Sequence, residues 1–373
     1  MTLNELRERI DELDRNIKEL FLKRIDVSKE VAQIKFHTGD KILKPEREKE
    51  IIQNLCDDLD ENLKYPYASL LRKYMELSRC IQYSKMLELG AEFQLRFTEE
   101  PLIAESVCFQ GIPGSYSEMA VKNIFPGIEA HPIDTFEELF QCISRGKHQA
   151  GVVPIENTTA GSVYEVYDLL MKYDLYINHM NVVKVEHCLA AVQGACLEDI
   201  KEVYSHPQAI AQSMEFLKVH GIKGIAGSNT AIAAKEVSER QDISIGTICS
   251  SEAAKRYNLN ILAVGINHNK DNATRFASVS KQLTVQDNHD KIAVIFACPH
   301  RSGSLAGVLG IFADYGVNLT EIHSRPDGKN QWEYIFYVDF TGNLKEGRIR
   351  TMFYQLSEEL PFVKIIGSYQ SKL

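Results

Sequence analysis

The sequence predicts a multi-domain chain: an all-α segment over residues 1–90, an α/β segment over 105–282, and a ferredoxin-like βαββαβ tail over 291–373. Three textures predict it. Residues 1–90 are dense in charge and almost free of glycine. The middle alternates short apolar runs with glycine-rich turns and helical stretches, which marks an α/β domain, here long enough for two lobes and a cleft. The tail reads strand, helix, two strands, helix, strand. At 373 residues the chain exceeds one ordinary core.

In the first segment, Leu6, Ile10, Leu13, Ile17, Leu20, Val27, Val31 and Ile34 recur with the spacing of a helical seam. The helix runs to about Phe36, where Thr38-Gly39-Asp40 stops it, giving a rod of roughly 50 Å. Lys44-Pro45-Glu46 opens a second helix, with proline where its missing N–H costs nothing. Tyr65-Pro66 is expected to break it, and a third helix is expected over about 67–89. Three helices this unequal cannot cover the seam of the first, so a second copy is expected to do so, as a homodimer or higher homo-oligomer.

In the middle segment, residues 107–109, 151–155, 188–192 and 243–245 read as buried strands. In the tail, strand 291–298 leads to helix 304–315, strands 318–323 and 333–340, helix 345–360 and strand 362–367, with 284–290 as a polar linker.

The net charge of -9 disfavours a nucleic-acid backbone as partner. No apolar run approaches the ~20 residues of a membrane helix. The N-terminus opens on charged helical sequence, so no signal or transit peptide is expected. The eight cysteines form no C-x-x-C pair, so buried reduced thiols are expected rather than a metal site, and the compartment is expected to be the cytoplasm.

Some residues break their own pattern. Arg24 occupies a position where the seam asks for leucine, and Lys35 lies eleven residues on, about 20° round the helix. Ser78 and Gln82 stand at i, i+4 on the third helix, and Arg47-Glu48 opens the second. In an arbitrary bundle these would be surface polar groups. Their recurrence on all three helices favours a converging cluster, and converging cations suit a small dicarboxylate.

On these residues the first segment resembles the all-helical chorismate mutases. That family's opening arginine corresponds to Arg7 in Leu6-Arg7-Glu8-Arg9-Ile10, and reaches into the partner's site. Its next arginine and lysine match Arg24 and Lys35, its R-E pair Arg47-Glu48, and its S-x-x-x-Q Ser78 and Gln82. The resemblance implies an intertwined dimer in which Lys35 and Gln82 flank the ether oxygen of chorismate. Arg7, Arg24 and Arg47 would hold its carboxylates, and Glu48 would accept from its hydroxyl. Lys44, followed by Pro45, stands where the family usually has aspartate.

The middle segment carries strings at strand–helix junctions, each with a capping or turn explanation of its own. They are Gly111-Ile112-Pro113-Gly114-Ser115-Tyr116-Ser117, Pro154-Ile155-Glu156-Asn157-Thr158, Ser205-His206-Pro207-Gln208, Ser228-Asn229-Thr230 and Asn272-Ala273-Thr274-Arg275-Phe276. In this order they resemble prephenate dehydratase. The resemblance implies a two-lobed fold like periplasmic binding proteins, with Thr274 donating a proton to the leaving hydroxyl of prephenate and Arg275 holding carboxylate. Glu156, Asn157, Thr158, Ser205, His206, Gln208, Ser228, Thr230 and Phe276 would line the cleft.

The tail resembles ACT regulatory domains, which bind phenylalanine at a G-A-L-V turn and an E-S-R-P strand end. Here these read Gly303-Ser304-Leu305-Ala306 and His323-Ser324-Arg325-Pro326, so Gly303, Ser304, Leu305, His323, Ser324 and Arg325 are the effector candidates. Together the resemblances imply a bifunctional enzyme of phenylalanine synthesis acting on chorismate and prephenate, without metal or organic cofactor. The rival reading is an amino-acid-sensing binding protein whose catalytic domains have decayed. A mutase fused to a prephenate dehydrogenase is disfavoured by the missing G-x-G-x-x-G.

Overall fold

The computed structural model describes residues 2–300, 302–326 and 334–371. Helix α1 runs Leu3–Thr38, α2 Pro45–Cys56 and α3 Glu61–Glu88. A capping box starts α1: the Thr2 hydroxyl accepts from Glu5 N–H and the Glu5 carboxylate from Thr2 N–H. Gly39 ends it at φ 72°, a left-handed conformation that costs glycine least.

The break between α2 and α3 is not at the proline. Asp57-Asp58-Leu59-Asp60 makes it, with Leu59 N–H folding back to the Cys56 carbonyl. Pro66 lies inside α3. There it forfeits one helical hydrogen bond, and burial of Ala68, Leu71 and Met75 carries the helix past it.

The face that α1 buries also differs from the expected seam. Ile25, Ser28 and Ala32 are buried, whereas Leu6, Ile10, Leu13, Ile17, Leu20, Val27 and Ile34 are exposed, Leu20 by 65%. The seam is an apolar stripe that no described residue covers, and Arg24 sits on the neighbouring face that looks toward α3.

The chain divides into two compact units: residues 1–96 with 295–363, and residues 97–294 with 364–373. The second unit holds two lobes. The first lobe comprises β1 (Val107–Gln110), α4 (Tyr116–Ile124), β2 (Ala130–Ile133), α5 (Phe136–Ser144), β3 (Ala150–Asn157), β4 (Gly161–Ser162), α6 (Tyr164–Lys172) and β5 (Tyr176–Lys184). The second comprises β6 (Cys188–Ala191), β7 (Glu202–Ser205), α7 (Pro207–Gln212), α8 (Met214–His220), β8 (Lys223–Ala226), α9 (Thr230–Arg240), β9 (Ile245–Cys249), α10 (Ser251–Arg256) and β10 (Asn260–Val264). The chain then returns to the first lobe as β11 (Ala273–Ser280).

In the first lobe the sheet order is β5-β11-β3-β1-β2, with β1 parallel to both neighbours and β11 antiparallel to β3 and β5. The second lobe has the order β10-β6-β9-β7-β8. Each lobe keeps its own core: Val107, Phe109, Val152 and Phe276 in the first, Leu189, Val203, Ile248 and Ala253 in the second. The run expected at 243–245 contributes only its last residue to a strand. Asp242 accepts from the N–H and hydroxyl of Ser244, a local turn that delays β9 to Ile245.

The tail follows as β12 (Lys291–Ala297), α11 (Ser304–Asp314), β13 (Leu319–Pro326), β14 (Tyr334–Thr341), α12 (Gly347–Glu359) and β15 (Phe362–Tyr369), the expected βαββαβ order. Glu333, where the third strand was expected to begin, lies outside the described residues. β13 and β14 pair antiparallel, His323 opposite Tyr337. In the first unit α3 packs against α11 and α12 as well as α1 and α2. Tyr83 of α3 meets Tyr354 of α12 edge-on at 5.3 Å, and Lys73 pairs with Asp314 of α11 at 2.5 Å. Among the described residues no helix is long and apolar enough to cross a membrane.

Candidate active sites

The helical cluster rests on α3. Arg24 donates to the Tyr74 carbonyl at 2.9 Å and to the Ser78 hydroxyl. One turn further along α3, Lys35 Nζ donates to Gln82 Oε1 at 3.2 Å and to the Ile42 carbonyl at 2.9 Å. Ser78 and Gln82 are buried because their i, i+4 spacing turns both toward α1. Burial pulls the Arg24 and Lys35 cations below their ordinary values, while Glu48 pulls both the other way. Cations held part-way out of water in this manner favour an anionic ligand.

Two expected members stand apart. Arg47 points outward and pairs with Glu50 at 3.2 Å, because it lies about 100° round α2 from Glu48, the residue that faces α3. Arg7 lies on the exposed first half of α1. Lys44 also points outward, paired with Asp40 at 2.9 Å.

In the second unit a cavity of about 420 Å³ opens between the lobes, lined among others by Tyr116, Asn157, His187, His206, Gln208, Gln212, Thr230, Asn272 and Thr274. Thr274, at the start of β11, lies opposite Asn157 at the end of β3. The Asn157 amide donates to Thr274 Oγ1 at 2.9 Å and to Asn272 Oδ1 at 2.9 Å. An oxygen that accepts from an amide keeps its own hydrogen for another partner. Behind Asn157 a polar chain continues: Asn272 Nδ2 donates to Gln212 Oε1 at 3.0 Å, and His187 Nε2 meets the same oxygen at 3.0 Å. Tyr116 OH meets His187 Nδ1 at 3.2 Å. Burial holds His187 below the usual histidine range and Tyr116 well above the usual phenol range, so both stay neutral near pH 7. Gln212 Nε2 is buried without a partner among the described residues, a donor free for a ligand.

Several expected cleft residues do other work. Arg275 follows Thr274 on a strand, so it points to the opposite face, where it pairs with Glu156 at 3.3 Å. Neither lines the cavity. Phe276 is buried in the first lobe's core. Ser205 is fully buried and donates to the Ile248 carbonyl at 2.6 Å. Thr158 accepts from Ala273 N–H at 3.1 Å and ties the end of β3 to β11. Ser228 is exposed and outside the lining, and the adjacent Asn229 caps α9 instead. His206 does line the cavity, as the N-cap of α7.

The turn at 111–117 brings the lobes together. Gly114 has φ 92°, and a Cβ there would sit 3.0 Å from the Ala253 Cα in the other lobe. Ser250 donates to the Gly114 carbonyl at 2.9 Å, and Arg256 pairs with Glu118 at 3.3 Å. In the tail, Gly303 adopts φ 80° before Ser304 and Leu305 start α11. On β13, His323 and Arg325 alternate with Ser324, and His323 Nε2 meets Glu321 Oε1 at 2.6 Å.

Models of three families match in order: chorismate mutase type II over residues 6–83, prephenate dehydratase over 107–284 and the ACT domain over 292–350. A bifunctional chorismate mutase/prephenate dehydratase of Aquifex aeolicus is 31% identical over 100% of this chain and 98% of its own length. The chain belongs to the bifunctional chorismate mutase/prephenate dehydratase family. An arogenate dehydratase/prephenate dehydratase of Arabidopsis thaliana is 37% identical, over 83% of this chain and 85% of its own. Among solved structures, a prephenate dehydratase from Arthrobacter aurescens in complex with L-Phe matches with TM-score 0.66 and 30% identity, over 71% of this chain and 90% of that one. Within the mutase/dehydratase frame, sequence reasoning missed His187 and Gln212, and it named Tyr116 and Asn272 in its strings without giving them a place in the cleft. Two of these had a usable signal. Gln212 lies four residues after Gln208 on one helix face, and Asn272 stands two residues before Thr274 at the entry to its strand.

Proposed function

We propose that this chain converts chorismate to prephenate at the helical site and prephenate to phenylpyruvate in the cleft, under control by phenylalanine. What carries the reading is that one chain assembles both polar sets: Lys35 with Gln82 at 3.2 Å, and Thr274 with Asn157 at 2.9 Å.

The first reaction is a pericyclic rearrangement, so it asks for no nucleophile. The protein must hold a compact conformer and stabilise negative charge growing on the ether oxygen. Lys35 and Gln82 meet that need, and Arg24, positioned by Ser78, holds a carboxylate. Glu48 accepts from the substrate hydroxyl. Arg7 completes the site from a second copy whose α1 lies along the exposed stripe, so the working form is at least a dimer. Arg47 contributes long-range charge, since its contact is with Glu50.

In the cleft, the bond from the ring to its carboxylate breaks and carbon dioxide leaves. Its electron pair enters the ring, and the ring C–OH bond breaks. Thr274 gives its proton to the departing hydroxyl, which leaves as water, and later regains a proton from solvent. Threonine is a weak acid, but the product is aromatic and Asn157 donates to the oxygen as charge develops there. Gln212 and His206 offer polar contacts to the substrate, while Glu156 brackets Arg275 beneath the site rather than in it. Phenylalanine binds the ACT segment at the turn 303–305 and the end of β13; that a dehydratase relative has been solved in complex with L-Phe supports phenylalanine as the ligand. We place the protein in the cytoplasm, with three functional segments at 1–90, 105–282 and 291–373.

The test is to supply purified protein with chorismate alone and follow prephenate and phenylpyruvate. Prephenate should rise first and phenylpyruvate follow; no phenylpyruvate, even from added prephenate, would refute the second activity.

A further inference from the structure

Arg79 follows Ser78 on α3, and its side chain is only 11% exposed. It touches two carboxylates. Nη1 meets Glu48 Oε1 of α2 at 2.5 Å, and Nε meets Glu359 Oε1 of α12 at 3.0 Å. Glu359 is the last residue of the ACT segment's second helix, with a side chain 7% exposed. Gln355 donates to the same Glu359 oxygen at 3.1 Å, and Tyr315 OH donates to Gln355 at 3.0 Å. Burial pushes the Glu359 carboxyl above its usual range, whereas the carboxylates around Arg79 hold its guanidinium above its own.

The pieces differ in freedom. Glu48 sits on a helix of 12 residues whose main described packing in this unit is against α3. Arg79 is the guanidinium that fixes its side chain. A guanidinium can present its Nε edge to one acid and a terminal nitrogen to another, a division that an ammonium group cannot reproduce in fixed geometry. With one edge committed to Glu359, Arg79 is held short of a bidentate grip on Glu48, so one Glu48 oxygen stays available.

We propose that Arg79 is a positioning residue for Glu48 in the chorismate reaction, and that the ACT helix α12 sets its position through Glu359. The mutase site is thereby completed by the C-terminal segment of the same chain. The proposal rests on the placement of Glu48 at the substrate hydroxyl. A contact to that hydroxyl exists in the ground state and the transition state alike, so its disturbance falls on KM more than on kcat.

The experiment measures chorismate KM and kcat, dehydratase activity on added prephenate, and melting temperature in the full chain and in Glu48→Gln, Arg79→Lys and Glu359→Gln. Glu48→Gln and Arg79→Lys should raise KM by about 10-fold, and Glu359→Gln by about 3-fold, with smaller changes in kcat. Dehydratase activity should be unchanged in Glu359→Gln. If Glu48→Gln raises KM but the other two only lower the melting temperature, the relay is overturned and Arg79 is structural. If Glu48→Gln itself leaves KM unchanged, the placement of Glu48 fails and the relay falls with it.

Discussion

The helical site and the cleft solve the same problem with different amounts of enclosure. The cleft gathers its polar chain, from Tyr116 through His187, Gln212 and Asn272 to Thr274, inside one compact unit with a core on each side. The helical site lies on a rod whose first twenty residues are largely exposed and whose apolar stripe no described part of the chain covers. A pocket between lobes can be closed by one chain. A site built along a helix seam needs walls from elsewhere, which the proposed second copy and the C-terminal helix would supply.

The sharpest test of this contrast is Thr274→Ala. It should lower phenylpyruvate formation by about 10³-fold while prephenate still accumulates from chorismate, because the deleted hydroxyl is the proposed proton donor. Thr274→Ser should keep measurable activity. Equal behaviour of the two variants would reduce Thr274 to packing.

Lys35→Ala should come next, with the mutase turnover down by about 10²-fold and the dehydratase intact, since in the proposed site the ammonium acts mainly on transition-state charge. A wild-type mutase rate would remove Lys35 from the site.

Ile17→Glu addresses the stripe directly. A charge at the centre of a face that needs an apolar partner should dissociate the proposed oligomer in sedimentation and cut mutase activity about 10-fold, leaving the dehydratase nearly unaffected. A wild-type chain that sediments as a fully active monomer would show that one copy suffices.

The smallest effect concerns pH and belongs to the second unit. Burial lowers His148, His179 and His187 from the ordinary value of 6.5. Their folded values lie below their unfolded ones, so their contribution to stability is full above 6.5 and is lost as pH falls below it. The melting temperature should therefore drop by a few degrees between about pH 7.5 and 5.5, and His187→Asn should shrink that drop. An unchanged drop in the variant would mean that His187 carries none of it.

Legibility in the sequence followed the range of the interaction. Arg24, Lys35, Ser78 and Gln82 were readable because a helix repeats every 3.6 residues, and polar groups in its packed face declare themselves. The same arithmetic places Arg47 away from Glu48, and strand alternation places Arg275 away from Thr274, although family resemblance alone draws both inward. The tail's strand and helix order was readable for the same local reasons. Arg79 and Glu359 were not, because they lie 280 positions apart and each passes for a surface charge on its own helix. The early break before α3 was obscured by Pro66, a strong local signal outweighed by packing further along.

In the second unit the backbone crosses between lobes only near residues 184–188 and again near 264–273. Thr274, Asn272 and His187 lie beside those crossings, whereas His206 and Thr230 line the cavity from the second lobe. A door swings least at its hinge. Were the lobes to rotate about these crossings, the hydroxyl of Thr274 and the amide of Asn157, both on the first lobe, would keep their spacing. The proposed proton donor and the amide beside it would therefore stay together through any opening of the door.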